Sequence, residues 1–513
     1  MSFLRGALVL SCAGLITKII GALYRIPLTY LLGAEGIGLY QMAYPIYGIA
    51  FVLSSSGVPI AIAKLIAEQN ARGYYRAAQR ILGVAMLLLA CTGFIFAFLM
   101  YRLAPVIATG ILGDARALYP IRAITPAVFF VAVLVAFRGY FQGRQLMLPI
   151  AIGQILEQLV RVTTMLGLAY ILLPWGLEYA AAGATFGAVT GAIAGIFCLG
   201  LVYVRIPKPV GSAPVEEDNG VIVGKILRLA LPVTFGAFIM PVMEAVDAAI
   251  VPMRLQAIGY TVSQATALYG QLAGMAISLI VFPTVITGAF AFSLIPAISE
   301  AVTQGRHELI ERRVQEALHL TVLVGLPATV GLYLLPGELC ELLFRTPEAG
   351  IPLVYLAYGC FFLCLQQTTT GILQGMGRPA VPVRSILFGA LCNAILNYYL
   401  TVIPALNIRG AALGTGFGFT VAALLNLRAI VDITGIKISI GKLFFPPILA
   451  LIGMALAVKL GYNWAGFAMG GNTAVLVAIL LGAFVYLLLG ILTGAIPWRY
   501  IALLLPFRLG TKK

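Results

Sequence analysis

Charge is what this chain has least of. Of its 513 residues, 10% are Asp, Glu, Lys or Arg and 61% are hydrophobic. A soluble domain carries about 25% charged residues, so the polar surface here is too small to clothe a globule of this size in water. Histidine is scarcer still, with His307 and His319 alone, which argues against a transition-metal centre. The chain has no Gly-x-x-x-x-Gly-Lys-Ser/Thr phosphate loop, no HExxH and no Gly-x-Ser-x-Gly. Those absences remove P-loop nucleotide hydrolysis, zincin chemistry and the nucleophile elbow. The longest outer loop, roughly 103–117, holds Asp114 as its one acid, so neither an enzyme nor a cofactor is expected. The seven cysteines include Cys12, Cys91, Cys198 and Cys392 in apolar stretches, which reads as small buried residues rather than a disulfide frame. Cys360 and Cys364, four apart on one helix, read as packing.

Apolar length is what the chain has instead. A spanning helix needs about 20 apolar residues. Fourteen such stretches occur, roughly at 7–32, 38–63, 80–101, 118–138, 148–173, 179–204, 229–253, 266–295, 319–337, 351–373, 383–404, 410–431, 443–461 and 473–497. Barrel strands are about 10 residues of alternating polarity, so these runs predict an all-α integral membrane protein. The first stretch is too long for a cleavable signal peptide, carries Lys18 and Arg25, and leads straight into another span.

The 33 basic residues outnumber 18 acidic ones, for a net charge of +15. In so apolar a chain the positive-inside rule explains the excess, and nucleic acid is not an expected partner. With the N-terminus inside, 22 basic residues fall in cytoplasmic segments, Lys64, Arg72, Arg76, Arg138 and Arg144 among them. Six fall outside: Arg102, Arg116, Arg254, Arg345, Arg409 and Lys459. The opposite orientation inverts that ratio, so both termini are expected in the cytoplasm. Lys18, Arg25, Arg122, Arg161 and Arg384 are left over, inside or at the rims of spans.

A shift of 232 residues superposes parts of the two halves. Ile66, Glu68, Gly73 and Arg80 fall on Ile298, Glu300, Gly305 and Arg312, and Gly139, Gln142 and Gly143 fall on Gly371, Gln374 and Gly375. With one residue of slippage, Gly183, Phe186 and Gly187 fall on Gly414, Phe417 and Gly418. Six helices per repeat is an even number, so the halves enter the membrane from the same side, as parallel repeats. The expected architecture is a lobe over 1–204, a cytoplasmic linker over 205–228, a second lobe over 229–431, and two further helices with a tail over 432–513. Segment 299–317, with Glu300, Arg306, Glu308, Glu311, Arg312, Arg313 and Glu316 among apolar positions, is expected as a helix on the inner surface.

A charged side chain at mid-bilayer costs at least about 2.5–3.5 kcal/mol on insertion scales, so it faces a cavity or a partner. Lys18 and Arg25 lie seven residues apart on the first span, two turns, hence on one face. Pro27 frees a carbonyl beside them and permits a bend. Two stacked cations suit a diphosphate; the alternative is that they reach out to lipid head groups. Glu157 and Arg161 on the fifth span form a favoured i,i+4 pair, read as structural. Glu244 and Asp247 on the seventh, following Pro241, either bind H⁺ or Na⁺, pair with the first-span cations, or include one protonated carboxyl. Arg384, Asn393 and Asn397 on the eleventh, like Gln366, Gln367 and Thr368–Thr370 on the tenth, suit either ligand contact or interhelical hydrogen bonding. The glycines Gly183, Gly187, Gly191 and Gly195, four apart, read as close helix packing.

Several runs, in order, resemble one family. They are Thr17-Lys18-Ile19-Ile20-Gly21, Tyr24-Arg25-Ile26, Leu32-Gly33-Ala34-Glu35-Gly36-Ile37-Gly38-Leu39-Tyr40, Gly57-Val58-Pro59-Ile60-Ala61-Ile62-Ala63-Lys64 with Ala67-Glu68, and Arg138-Gly139-Tyr140-Phe141-Gln142-Gly143. Gln154-Ile155-Leu156-Glu157-Gln158-Leu159-Val160-Arg161, Leu231-Pro232-Val233-Thr234, Asp247, Ile250-Val251-Pro252 and Pro296-Ala297-Ile298-Ser299-Glu300 continue the series. The chain resembles the stage V sporulation protein B-like polysaccharide-export proteins, of the multidrug/oligosaccharidyl-lipid/polysaccharide exporter superfamily, over nearly its whole length. The resemblance implies two six-helix lobes and, from the related lipid II flippases, fourteen helices and a cationic cavity. Lys18 stands where those flippases carry an arginine on their first helix. Their second such arginine aligns with Tyr24, and the cation here is next door at Arg25.

Residues and resemblance together predict a bacterial plasma-membrane transporter for a lipid-linked sugar diphosphate, acting as a monomer by alternating access, with H⁺ or Na⁺ as a further partner. Lys18, Arg25, Arg122, Arg384, Asn393 and Asn397 are the expected substrate contacts, and Glu244 and Asp247 the ion-coupling pair. The alternative is a multidrug or organic-cation exporter of the same superfamily, in which cavity carboxylates dominate. A non-transporting scaffold leaves the intramembrane cations without a purpose.

Overall fold

The structure, a computed structural model, describes residues 3–206, 218–436 and 439–496. Much of the expected linker (Pro207, Pro209, Gly211, Pro214, Glu216 and Glu217), Lys437, and the tail with Arg499, Arg508, Lys512 and Lys513 lie outside the described residues. The described residues are helical throughout, with no strand. In order the α-helices are α1 Phe3–Leu23, α2 Arg25–Ser55, α3 Val58–Ala71, α4 Tyr75–Val106, α5 Leu118–Gly143, α6 Met147–Leu172, α7 Leu177–Arg205, α8 Asn219–Ala257 and α9 Val262–Tyr269. After the π-helical turn Gly270–Ala276 follow α10 Ile277–Val281, α11 Thr284–Thr303, α12 His307–Leu334, α13 Pro336–Phe344, α14 Gly350–Gly375, α15 Ala380–Leu400, α16 Ile408–Thr434, α17 Ile440–Met469 and α18 Gly471–Leu492.

Fourteen segments are long and apolar enough to cross a membrane, the number expected. Their bounds differ in two places. The first two expected spans form one segment, Val9–Ala71, and the eighth, 266–295, is divided into Val262–Val281 and Thr284–Thr303. The boundary between the first two is nonetheless visible. Gly33 interrupts α2 at φ 63, ψ −175, and the hydroxyls of Tyr24 and Tyr40 meet at 3.2 Å. A straight helix would hold residues 16 apart about 24 Å from each other, so the chain folds back at Gly33. A side chain there would be strained by the positive φ. One expectation fails. Segment 299–317 is no separate surface helix: it is the end of α11, a turn at Gly305 (φ +65), and the first turns of α12, which run on into a span. Ile310, Val314 and Ala317 bury the apolar stripe that suggested a surface helix.

The chain divides into two compact units, Met1–Gly274 and Met275–Lys513. In each, glycines let the helices approach closely, a common device where lipid is as apolar as leucine. Within the first unit α7 lies on α6 through Gly183, Gly187 and Gly191, where an added Cβ would come within 2.7–2.9 Å of α6. Gly143 of α5 sits on Ile66 of α3, and within the second unit Gly375 of α14 sits on Ile298 of α11. Both members of that contact obey the 232-residue shift, so the repeat read from the sequence is a repeat of packing. Other large apolar side chains face outward, Phe197, Phe235, Leu480 and Phe467 among them, the last 97% exposed.

Candidate substrate site

The site in the first unit starts from the fold-back at Gly33. Beyond it α2 carries Tyr40, Tyr44, Tyr47 and Phe51 at helical spacing. Successive ring centroids are 4.6, 6.1 and 6.2 Å apart. Tyr24, at the junction of α1 and α2, closes onto Tyr40 from the other side of the fold. Pro27 has no N–H for the carbonyl four residues back, at Leu23, where α1 ends. Arg25 follows directly on that junction, half-buried.

Against this ladder α5 and α6 bring a charged triad. Arg138 of α5 and Arg161 of α6 each bind one carboxylate oxygen of Glu157, Arg138 at Oε2 and Arg161 at Oε1, the latter at 3.4 Å. Glu157 is 9% exposed. The carboxylate can lie so deep because α7 presents only Gly191 and Gly195 there; a Cβ on Gly195 would be 3.6 Å from Oε2. Glu244 and Asp247 lie on α8, and Tyr269 of α9 is buried. The Arg138–Glu157–Arg161 triad and Arg25, next in sequence to the Tyr24 that closes on Tyr40, thus flank a ladder of phenols: a surface fit for an anion carried on an amphipathic body.

The other predicted contacts have separate places. Lys18 is exposed on α1, which packs on α6 at Gly21 and Gln158. Arg122 of α5 lies over the Tyr101 ring at 4.9 Å, its Nε buried without a partner. In the second unit Arg384 is exposed on α15, while Asn393 and Asn397 are buried against Gly418 and Gly414 of α16. Arg138 and the tyrosines were not singled out from sequence. Arg138 had been counted with the cytoplasmic charges at a helix end, and the i, i+4, i+7 spacing of Tyr40, Tyr44 and Tyr47 was the signal available. A second polar network was missed as well: Arg116 joins Glu35 and Asp114, and Thr266 of α9 donates to Asp114 at 2.8 Å.

The model of the polysaccharide biosynthesis protein family matches residues 3–302. The chain belongs to that family. A second family model, MatE, matches 232–399. Among curated relatives, stage V sporulation protein B of Bacillus subtilis (strain 168) is 33% identical, covering 86% of this chain and 85% of the relative. Lipid II flippase MurJ of the same organism is 27% identical, covering 96% and 95%. Among solved structures, lipid II flippase MurJ in an inward closed conformation matches with a TM-score of 0.72 at 14% identity, over 97% of this chain and 100% of that one. An inward-facing multidrug resistance MATE family transporter of the MOP superfamily matches with a TM-score of 0.66 at 15% identity, over 84% and 99%. The fold is therefore the one these solved structures share, and the chain is a multi-pass membrane protein of the polysaccharide biosynthesis protein family.

Proposed function

We propose that the protein flips a lipid-linked sugar diphosphate across the bacterial plasma membrane by alternating access. The observation that carries this reading is the Arg138–Glu157–Arg161 triad and a tyrosine ladder that Tyr24, next in sequence to Arg25, closes, all within the first unit. In this reading Arg25 and Lys18 meet the diphosphate, with Arg122 and Arg384 as helpers and Asn393 and Asn397 contacting polar parts of the cargo. The prenyl chain stays in lipid. The lobes 1–204 and 229–431 are the moving bodies, and the membrane potential or an ion at Glu244 and Asp247 supplies the drive. The name of one relative, a lipid II flippase, supports the cargo class.

The test is flipping of a fluorescent lipid-diphosphate sugar in proteoliposomes. A charge-assisted contact contributes about 1.5–3 kcal/mol, so Arg25→Ala is expected to slow flipping by about 10–100-fold, and Lys18→Ala likewise. Full activity in both variants, correctly inserted, would sink the assignment. The match to the MatE family over 232–399 favours a second reading, an organic-cation exporter working through Glu244 and Asp247. Efflux of an organic cation from vesicles that do not flip the sugar lipid would establish it.

A further inference from the structure

Glu157 has a role left over by the reading above. An isolated i,i+4 ion pair serves to carry two charges into a membrane at low cost, but this carboxylate is shared between two guanidinium groups from different helices. Nor does the helix packing require it. At the 232-residue shift, Glu157, Arg161 and Arg138 correspond to Gly389, Asn393 and Thr370. The second repeat packs α15 on α16 through Gly414 and Gly418, much as the first packs α6 on α7 through Gly183 and Gly187, without a charge at any of the three places. The arginines outnumber their carboxylate, and the buried Nε of Arg161 has no hydrogen-bond partner. The triad therefore holds donor capacity that Glu157 does not use.

We propose that Glu157 is a proton-loading site. An anionic group of the cargo takes Arg138 and Arg161 from it, and the displaced carboxylate accepts a proton, so that anion and proton bind together. The inference rests on the reading that the cargo is anionic. Two anions drawn to the same pair of cations in a low-dielectric site repel each other, and the cheaper resolution is to protonate the weaker acid, the carboxylate. The groups facing it are few. Arg138 comes from α5, Arg161 from its own helix and Tyr47 from α2. On α7 it meets Gly191 and Gly195, with Cys198 one turn on, and α1, packed on the same helix, brings the exposed Lys18. By linkage, an anion whose binding takes up a proton binds more tightly as pH falls.

The experiment is calorimetric titration of the purified full-length protein with UDP-N-acetylglucosamine, a soluble diphosphate diester whose charge is constant across the range used. Wild type is expected to bind about tenfold more tightly per pH unit lowered between about pH 8 and 6. Heats in two buffers of different ionisation enthalpy should return about one proton taken up per anion. Glu157→Gln, permanently neutral, should bind at pH 8 at least about tenfold more tightly than wild type, with no pH dependence. Should that variant not fold, the wild-type proton count decides alone. Binding without proton uptake overturns the proposal while leaving the anionic cargo standing. So does a slope that survives in Glu157→Gln, or one that survives there and vanishes in Glu244→Gln. No binding by wild type at any pH overturns both the proposal and the cargo reading beneath it.

Discussion

Asp114 is 2% exposed, yet it caps the turn Ala115–Ala117, holds Arg116 through both oxygens and accepts from Thr266. Removing one partner of a buried ion pair costs about 3–5 kcal/mol, because the other charge is left uncompensated. Arg116 keeps Glu35, so Asp114→Ala is expected at the lower end of that range, read as a fall in thermal stability in detergent. Cys340 of α13 makes a cleaner case. It is fully buried outside the spans, and burial pushes its thiol from 9.0 up to about 12. Folding therefore favours the protonated thiol, and this contribution to stability is intact below pH 9.0 and lost as pH rises from there towards about 12. At pH 8 the thiol therefore stays protonated and unreactive in the folded protein. A variant keeping Cys340 as its single cysteine should resist maleimide at that pH until it unfolds; prompt labelling of the folded protein would contradict the burial. At this scale sequence spacing exposes only local partners. Glu157 and Arg161 are four residues apart and were paired on that ground. Asp114 and Thr266 are 152 apart, and nothing local in either stretch announces the other.

Helices were legible because apolar length is a strong signal, and their bends were less so. Pro27 marked a bend, since a missing N–H is a property of the residue itself, whereas the fold-back at Gly33 emerged only from the structure. The break between α10 and α11 at Phe282 and Pro283 was read through as one span, because hydropathy averages over it. The run of charges at 306–316 was misread as a surface helix because charge cannot distinguish a cytoplasmic helix from the cytoplasmic end of a spanning one. Packing between helices follows the glycines, and there substitution gives a direct check. A Cβ on Gly38 would sit 2.1 Å from the carbonyl oxygen of Thr266, and one on Gly270 would sit 2.0 Å from that of Ala34. Backbone cannot yield as a flexible side chain does, so Gly38→Ala must push α2 off α9, at a cost of about 1–3 kcal/mol. Gly14 of α1 has nothing within 4 Å of its Cβ position, and Gly14→Ala should stay within about 0.5 kcal/mol of wild type. Equal effects in the two variants would mean that the α2–α9 contact does not hold the helices at this separation.

At the scale of the whole molecule the repeat and the charge bias are the two long-range properties a single sequence carries. The repeat works because packing contacts recur at a fixed shift, as Gly143 on Ile66 and Gly375 on Ile298 show. How the cations gather around the tyrosine ladder was not legible, since it depends on where α2 folds back and how α5 and α6 approach it. The expected orientation rests on charge alone: the sequence reading puts 22 basic residues, Arg138 among them, on the cytoplasmic side against six outside, a bias that acts during insertion through short loops near span ends. It assigns the loop at Gly113 to the outside and the loop at Arg144 and Gln145 to the cytoplasm. Alkaline phosphatase, active only outside, should therefore be active when fused after Gly113 and inactive when fused after Arg144 or at the C-terminus. The reverse pattern would turn every helix over. Arg25 would remain within the membrane, but Lys64, Arg72, Arg76 and Arg144 would face outward, and the direction in which an anionic head group is first captured would reverse with them.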